Sequence, residues 1–370
     1  LIDVSVIHAF NGVPVHDCDE NVQQILSDLG FESMGDGERY IRGGVVDPMP
    51  RKKINRILFH HHSLHQKTRH ENETIALDHL DELRDDFALR GRCEMFRVDL
   101  KSMAAAHQLH QGTNLRGHLV WAKMPHFQRL LTIRNVQAPE EDEDILQFFR
   151  EHHDPTIYME RHAMRRGEFR KLISPLVRSG HLVQDYRGGF KTVEPITSSD
   201  LWEVKRDFLR DLVKDYPVIT LKQVERLAGS PFSAEEISDV MREFEEDDTL
   251  IKGFLVDDMH DVCWGRHDML ENSDVLTKTR DLVIPPSDPL IHYYGSLLRE
   301  KFGYGSAYLV FHREEPVAAF KANTRAGVIQ ITDFVGDSDL EKEALRVMKE
   351  FAWEHDMPLK GKLYERLRSR

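Results

Sequence analysis

The sequence predicts an α+β fold in which two copies of one helix–helix–helix–hairpin order precede a small antiparallel sheet covered by a helix. Three observations predict it. Apolar residues recur at helical spacing three times and then alternate across a turn, first over 141–196 and again over 200–266. The pattern changes to strands after the rigid stretch Ile284-Pro285-Pro286-Ser287-Asp288-Pro289, which sets off 280–370. The first 140 residues mix strand and helix signals, which reads as a mixed α/β N-terminal region.

In that region Val4, Val6 and Ile7 lie in a β-rich run ending at Asn11-Gly12, and Val22, Ile25, Leu26 and Leu29 have helical spacing. Met34-Gly35-Asp36-Gly37 reads as a hairpin turn before Tyr40 and Ile41, residues 51–111 as mainly helical, and 115–121 as a strand. From 142 the signal sharpens. Ile145, Phe148 and Phe149 mark one helix, 157–163 a short second one, and Phe169, Leu172, Ile173, Leu176 and Val177 a third that Gly180 should stop. Pro175 removes a backbone donor inside that helix and predicts either a kink or an earlier end. Residues 181–186 and 190–193 flank Arg187-Gly188-Gly189 as a hairpin. Three helices and a hairpin in that order make a winged helix, a variant of the helix-turn-helix.

The order recurs from 200. Leu201, Val204, Phe208 and Leu212 line a first helix, and Thr220 caps a second bearing Leu221, Val224 and Leu227. Ser233, three residues before Glu236, makes a capping box for a third helix with Ile237, Val240, Met241 and Phe244 on its apolar face. Residues 250–256 and 262–264 form the hairpin around Asp257-Asp258. Beyond 280, strands at 307–312, 316–322 and 327–334 turn at Glu314-Glu315 and at Thr324-Arg325-Ala326, and a helix at 339–353 covers the sheet.

The 370 residues are 40% apolar and 31% charged, the balance of a folded chain rather than a disordered one. No run of about eighteen apolar residues occurs, and no basic-then-apolar leader is visible, so no membrane partner and a cytoplasmic location are expected. Cys18, Cys93 and Cys263 are odd in number and form no CxxC, which argues against a disulfide framework. The first residue is Leu1 rather than Met, as in a segment of a longer protein.

A net charge of −13 argues against coating nucleic acid with the whole surface, but local fields depend on where charges sit. Residues 161–194 hold Arg161, Arg165, Arg166, Arg170, Lys171, Arg178, Arg187 and Lys191 against Glu168, Asp185 and Glu194, an excess of five positive charges. These eight are the candidate nucleic-acid-binding residues, for duplex or single-stranded DNA. The second module's third helix holds Glu235, Glu236, Asp239, Glu243, Glu245, Glu246, Asp247 and Asp248 against Arg242 alone. DNA phosphates would repel it, so it is assigned to a protein contact, a helicase core among others.

Other constellations are weaker. His60, His61, His62, His65 and His70 invite a metal reading, but no third ligand has a metal-site spacing, and no metal or cofactor is expected. Gln108 and Gln111 could face a ligand or lie on a helix surface, and Asp288 reads as a turn former. GxxxxGK[ST], GxSxG and HExxH are all absent, so no ATPase site is expected in this chain.

Pro286-Ser287-Asp288-Pro289-Leu290-Ile291, Lys301-Phe302-Gly303-Tyr304, the stretch from Lys321 through Thr324-Arg325-Ala326-Gly327-Val328, and Leu115-Arg116-Gly117-His118 carry a resemblance. Together these segments resemble the winged-helix DNA glycosylase family (AlkZ type). The tandem modules with Gly253-Phe254 and Trp264 are similar to the C-terminal part of large helicase-related (Lhr-type) proteins, which contains the same kind of fold. The resemblance spans roughly 140–355 and implies a DNA-binding architecture. That family's Gln-x-Gln or Gln-x-Asp catalytic triplet is absent, since Gln108 and Gln111 are separated by two residues. The expected function is therefore nucleic-acid binding, as the accessory C-terminal part of a DNA helicase or repair factor. The alternative is a DNA glycosylase excising damaged bases, with Asp288 and Gln111 as the polar substitutes for the missing triplet.

Overall fold

A computed structural model describes residues 31–33, 40–42, 48–66, 80–92, 100–197, 199–247, 249–257, 261–271, 276–325 and 327–368. The expectations placed on Val4 to Leu29, on the Met34–Gly37 turn and on Cys18, Cys93 and His70 lie outside the described residues.

The first elements are β1 (Phe31–Ser33), β2 (Tyr40–Arg42) and α1 (Arg51–His61), whose Ile54, Ile57, Leu58 and Phe59 are buried. Then come α2 (Phe87–Arg90), α3 (Leu100–His107), β3 (His110–Thr113) and β4 (Leu119–Ala122), with Leu83 bridged to Trp121. The described elements over 51–122 thus follow the same helix, helix, helix, hairpin order as the two later modules. Two sequence expectations are corrected here. The helical reading of 51–111 fails at its end, because Gln108 takes a left-handed φ of 54° and His110–Thr113 is strand. Leu115–Gly117 is a turn rather than strand, because the Asn114 side-chain oxygen accepts from the amides of Arg116 and His118 and Gly117 supplies a φ of 78°.

Next come α4 (Met124–Arg134), α5 (Glu143–Glu151), α6 (Pro155–Arg161), α7 (Arg166–Ser179), β5 (Leu182–Gln184) and β6 (Phe190–Thr192). Phe148, Phe149, Tyr158, Phe169 and Phe190 pack as one aromatic core. α7 ends at Gly180, whose φ is 92° and where an added Cβ would collide with the Arg134 guanidinium. The helix is not shortened by Pro175 and runs to Ser179. Pro175 and Lys171 are both exposed, so water can take the carbonyl that lost its amide.

α8 (Leu201–Lys214), β7 (Val218–Thr220), α9 (Leu221–Ala228), α10 (Ala234–Glu246), β8 (Leu250–Gly253) and β9 (Cys263–Arg266) follow. Thr220 with Gln223 and Ser233 with Glu236 form the reciprocal caps of α9 and α10. All four apolar residues expected on the face of α10 are buried.

α11 (His267–Glu271) leads to β10 (Leu282–Ile284), α12 (Leu290–Tyr293), α13 (Gly295–Phe302), β11 (Tyr308–His312), β12 (Glu315–Arg325), β13 (Val328–Gly336), α14 (Glu341–Glu354), β14 (Leu359–Lys360) and α15 (Lys362–Arg368). β10 runs into the rigid stretch read from the sequence and shares only Ile284 with it. The order β10-β11-β12-β13-β14 is antiparallel except for the last pair. Period-two alternation divides its faces: Leu309 and Phe311 pack against Tyr294 and Leu298, while Tyr308 and Val310 pack under Met348 and Phe351 of α14. The β11–β12 turn is Arg313-Glu314, one residue earlier than expected, with φ of 49° and 69°. Glu314 holds this unfavourable geometry through Arg56, which donates two 2.7 Å hydrogen bonds, and through Asn55, which donates to its carbonyl.

Two further sheets cross module boundaries. One has the order β4-β3-β5-β6, joined at Gln111 and Gln184, and the other β1-β2-β8-β9-β7, joined at Arg42 and Lys252. In both, an earlier antiparallel strand pair lies beside the strand that follows a module's third helix. Among the described residues no helix is long and apolar enough to cross a membrane.

Candidate nucleic-acid interface and polar cavity

The basic residues follow from the geometry of one module. Arg161 ends α6, and a left-handed Ala163 (φ 50°) turns the chain so that Arg165 precedes the first turn of α7. Glu168 reaches back to accept the Arg165 amide at 2.8 Å, which satisfies one free amide at the helix start. Arg166, Arg170, Lys171 and Arg178 lie along α7, Arg187 sits in the β5–β6 turn and Lys191 on β6. Seven of the eight are exposed and Lys191 is half-buried. Among the described residues none of them forms an ion pair with a carboxylate. Arg187 lies against Tyr186, with Nε donating to its hydroxyl at 2.7 Å.

The acidic α10 is organised differently. Glu236 pairs with Lys205 at 2.6 Å, and Asp239 with Arg242. Glu245 accepts from Trp264 Nε1 at 2.6 Å and faces Lys252 at 3.4 Å. Glu235, Glu243 and Glu246 form no ion pair among the described residues.

A second constellation lies where the first module meets α4 and α8. Glu82, next to the bridging Leu83, accepts from Asn114 Nδ2 at 2.6 Å and lies 3.0 Å from His126 Nε2, with Arg116 Nη2 at 3.6 Å. Burial would raise the Glu82 carboxyl, but the His126 hydrogen bond, the charges of His126 and Arg116 and the Asn114 hydrogen bond outweigh it and hold it below the usual range. These groups form the polar wall of a cavity of about 110 Å³, with Phe208, Leu212, Tyr216 and Leu227 on the apolar side. At roughly 30 Å³ per water this is space for a few waters.

The other sequence candidates fall elsewhere. Asp288 is buried, and both its oxygens are engaged: Arg92 Nη1 donates to Oδ2 at 2.6 Å, while Arg92 Nη2 and the Leu290 amide donate to Oδ1 at 3.4 and 3.0 Å. It is a turn former and a tie between modules, and offers no free carboxylate. Gln111 lies on β3 rather than on a helix, half-buried opposite Gln184, and Gln108 is exposed in the preceding turn. His60 stacks on His65 at 4.0 Å and faces the Thr277 carbonyl, while His62 faces the Asp215 carbonyl. Among the described residues no group of three His, Cys, Asp or Glu side chains is placed to hold a metal. Of the cavity's polar wall the sequence singled out only Arg116. Glu82 and His126 stand 44 positions apart in the chain, with no motif joining them.

No protein-family model matches the chain, and no curated protein matches it. Among solved structures, that of Streptomyces sahachiroi DNA glycosylase AlkZ is similar, with a TM-score of 0.60 and 11% identity over 85% of this chain and 100% of that one. The likeness is to the glycosylase, and a link to helicase-related proteins is not shown. At this identity the comparison concerns the backbone, and what it establishes is that the chain has an α+β fold like that of this DNA glycosylase.

Proposed function

We propose that the chain binds DNA through the basic face of α7 and removes damaged bases, with Glu82 activating water. The observation that carries this reading is the fold likeness, which extends over the whole of a DNA glycosylase. It favours base excision over an accessory role beside a helicase, for which the likeness offers no support. The basic face suits the backbone-positioning part of the task, since among the described residues its cations have no carboxylate partners and phosphate contacts set register without reading sequence.

Excision requires the target base to leave the stack and enter a pocket. The bond from C1′ to the base nitrogen breaks with its electron pair going to the base, and water oxygen bonds to C1′. The water proton goes to a base that leaves as an anion, such as uracil, or to solvent where a cationic alkylated purine leaves neutral. A carboxylate kept ionised can orient that water, accept its proton and offset positive charge developing on the sugar. Glu82 meets those requirements, and His126 beside it can relay the proton.

The test uses duplexes carrying uracil or an alkylated purine, with abasic sites read as breaks after mild alkali. Glu82→Gln is expected to slow excision by about 100-fold or more while leaving DNA affinity within about twofold. Absence of breaks from the wild-type chain on both substrates overturns base excision. Breaks that persist in Glu82→Gln retain excision and remove Glu82 from it.

A further inference from the structure

Beside the Glu82 cavity the β3–β4 turn, α12 and the segment after Leu83 carry four basic side chains, of which the excision reading uses only Arg116, as a charge beside Glu82. Arg84 Nη1 donates to the Pro286 carbonyl at 3.3 Å, in the stretch that leads into α12. Arg116 leaves the same turn as His118, the amides of both being held by Asn114 Oδ1. The His118 ring lies nearly parallel to that of His292, with centroids 6.5 Å apart. Arg116 Nε is buried and has no hydrogen-bond partner, although Nη1 reaches the Leu227 carbonyl at 3.5 Å and Nη2 faces Glu82. Two carboxylates face this cluster: Glu82, beside Arg116, is already engaged by Asn114 and His126, and Asp85, near Arg84, accepts from the Phe87 amide. A Cβ added at Gly117 would meet nothing within 4 Å, so the turn that carries Arg116 and His118 is open on that side.

We infer that Arg84, Arg116, His118 and His292 form a site for a phosphate group, adjoining the Glu82 cavity through Arg116. Two guanidinium groups and two imidazoles are a donor set suited to phosphate oxygens, and phosphate accepts charge-assisted hydrogen bonds from several directions. Without an anion the four groups oppose one another. Burial, then Arg116, His118 and Arg84, hold the His292 imidazole down to about 3, and burial, Arg84 and Arg116 lower His118. Both rings are then neutral at pH 7, and a bound phosphate would draw protons onto them by reversing the sign of the local field. The phosphate could be a nucleic-acid phosphodiester or free phosphate. The first source rests on the DNA-binding reading above, whereas the site's chemistry does not.

The experiment follows the imidazole Cε1–Hε1 signals of the full chain, assigned with His118→Asn and His292→Asn. Inorganic phosphate is titrated at pH 7 against sodium chloride of equal ionic strength. Saturable movement of both signals with phosphate and none with chloride is expected, together with a rise in the pH at which His118 titrates. Arg84→Ala should weaken phosphate binding by about tenfold, the loss of one charge-assisted contact. A single-stranded oligonucleotide that moves the same two signals assigns the source to the backbone, and one that leaves them still assigns it to free phosphate. Signals that ignore phosphate, respond equally to chloride, or behave identically in Arg84→Ala overturn the site. Excision with unmoved signals discards this inference alone, and moved signals without excision discard the proposed reaction alone.

Discussion

Arg92 and Asp288 are 0% and 2% exposed, and every oxygen and nitrogen between them has work to do in holding modules together. Arg92 Nε donates to the His62 carbonyl at 3.0 Å and Nη1 to that of Ala88 at 2.8 Å, so one guanidinium ties the end of α1, α2 and the approach to α12. Removing one partner strands a buried charge. Arg92→Ala is expected to cost about 3–5 kcal/mol, seen as a lower urea midpoint at unchanged slope. The double change Arg92→Met with Asp288→Leu should recover most of the loss, because two apolar groups leave no charge behind. An Arg92→Ala midpoint equal to wild type would show that the pair contributes nothing. Asp288 was legible as a turn former because its partner, the Leu290 amide, is two residues away. Its ion pair was not, because Arg92 lies 196 positions earlier. Glu82 escaped for the same reason, its donors lying 32 and 44 positions along the chain.

Elements with local signals were the readable ones. The caps at Thr220 and Ser233 and the face of α10 are written within a few residues and stand where the pattern put them. The helices over 51–122 were not resolved into a module, because α2 has four residues and the strand position before it is a lone bridge from Leu83 to Trp121, both too short to show a period. β10 and β14, of three and two residues, escaped likewise. The β11–β12 turn lacks Gly or Asn at its left-handed positions, and Arg56, far off in sequence, supplies what turn chemistry normally would. At this scale α10 makes a prediction. Among the described residues Glu243 and Glu246 have no ion-pair partner, so changing both to Gln removes repulsion without breaking an ion pair there. DNA affinity measured by anisotropy should be unchanged or slightly higher, and a marked loss in the folded double variant would put α10 on the DNA.

For the molecule as a whole, a net charge of −13 coexists with a module that concentrates cations without ion pairs among the described residues. Binding should therefore depend steeply on salt although the chain is acidic. If roughly four of the eight side chains reach phosphates, log affinity should fall against log salt with a slope of about −3 to −4 on duplex DNA. A flat salt series, or no binding at low salt, would remove the basic face from any role. The same scale gives meaning to the two sheets that cross module boundaries. β5 and β8 would each have a bare side were it not for the strand pairs β3–β4 and β1–β2 laid against them. An uncovered strand is a template for any other extended chain. Excising either winged-helix module to study it alone would expose that template, and the isolated piece would be prone to stick to itself. The smallest well-behaved fragment must therefore carry its covering strand pair, however distant in sequence, and the boundaries suited to dissection are set by strand pairing rather than by the helical repeat.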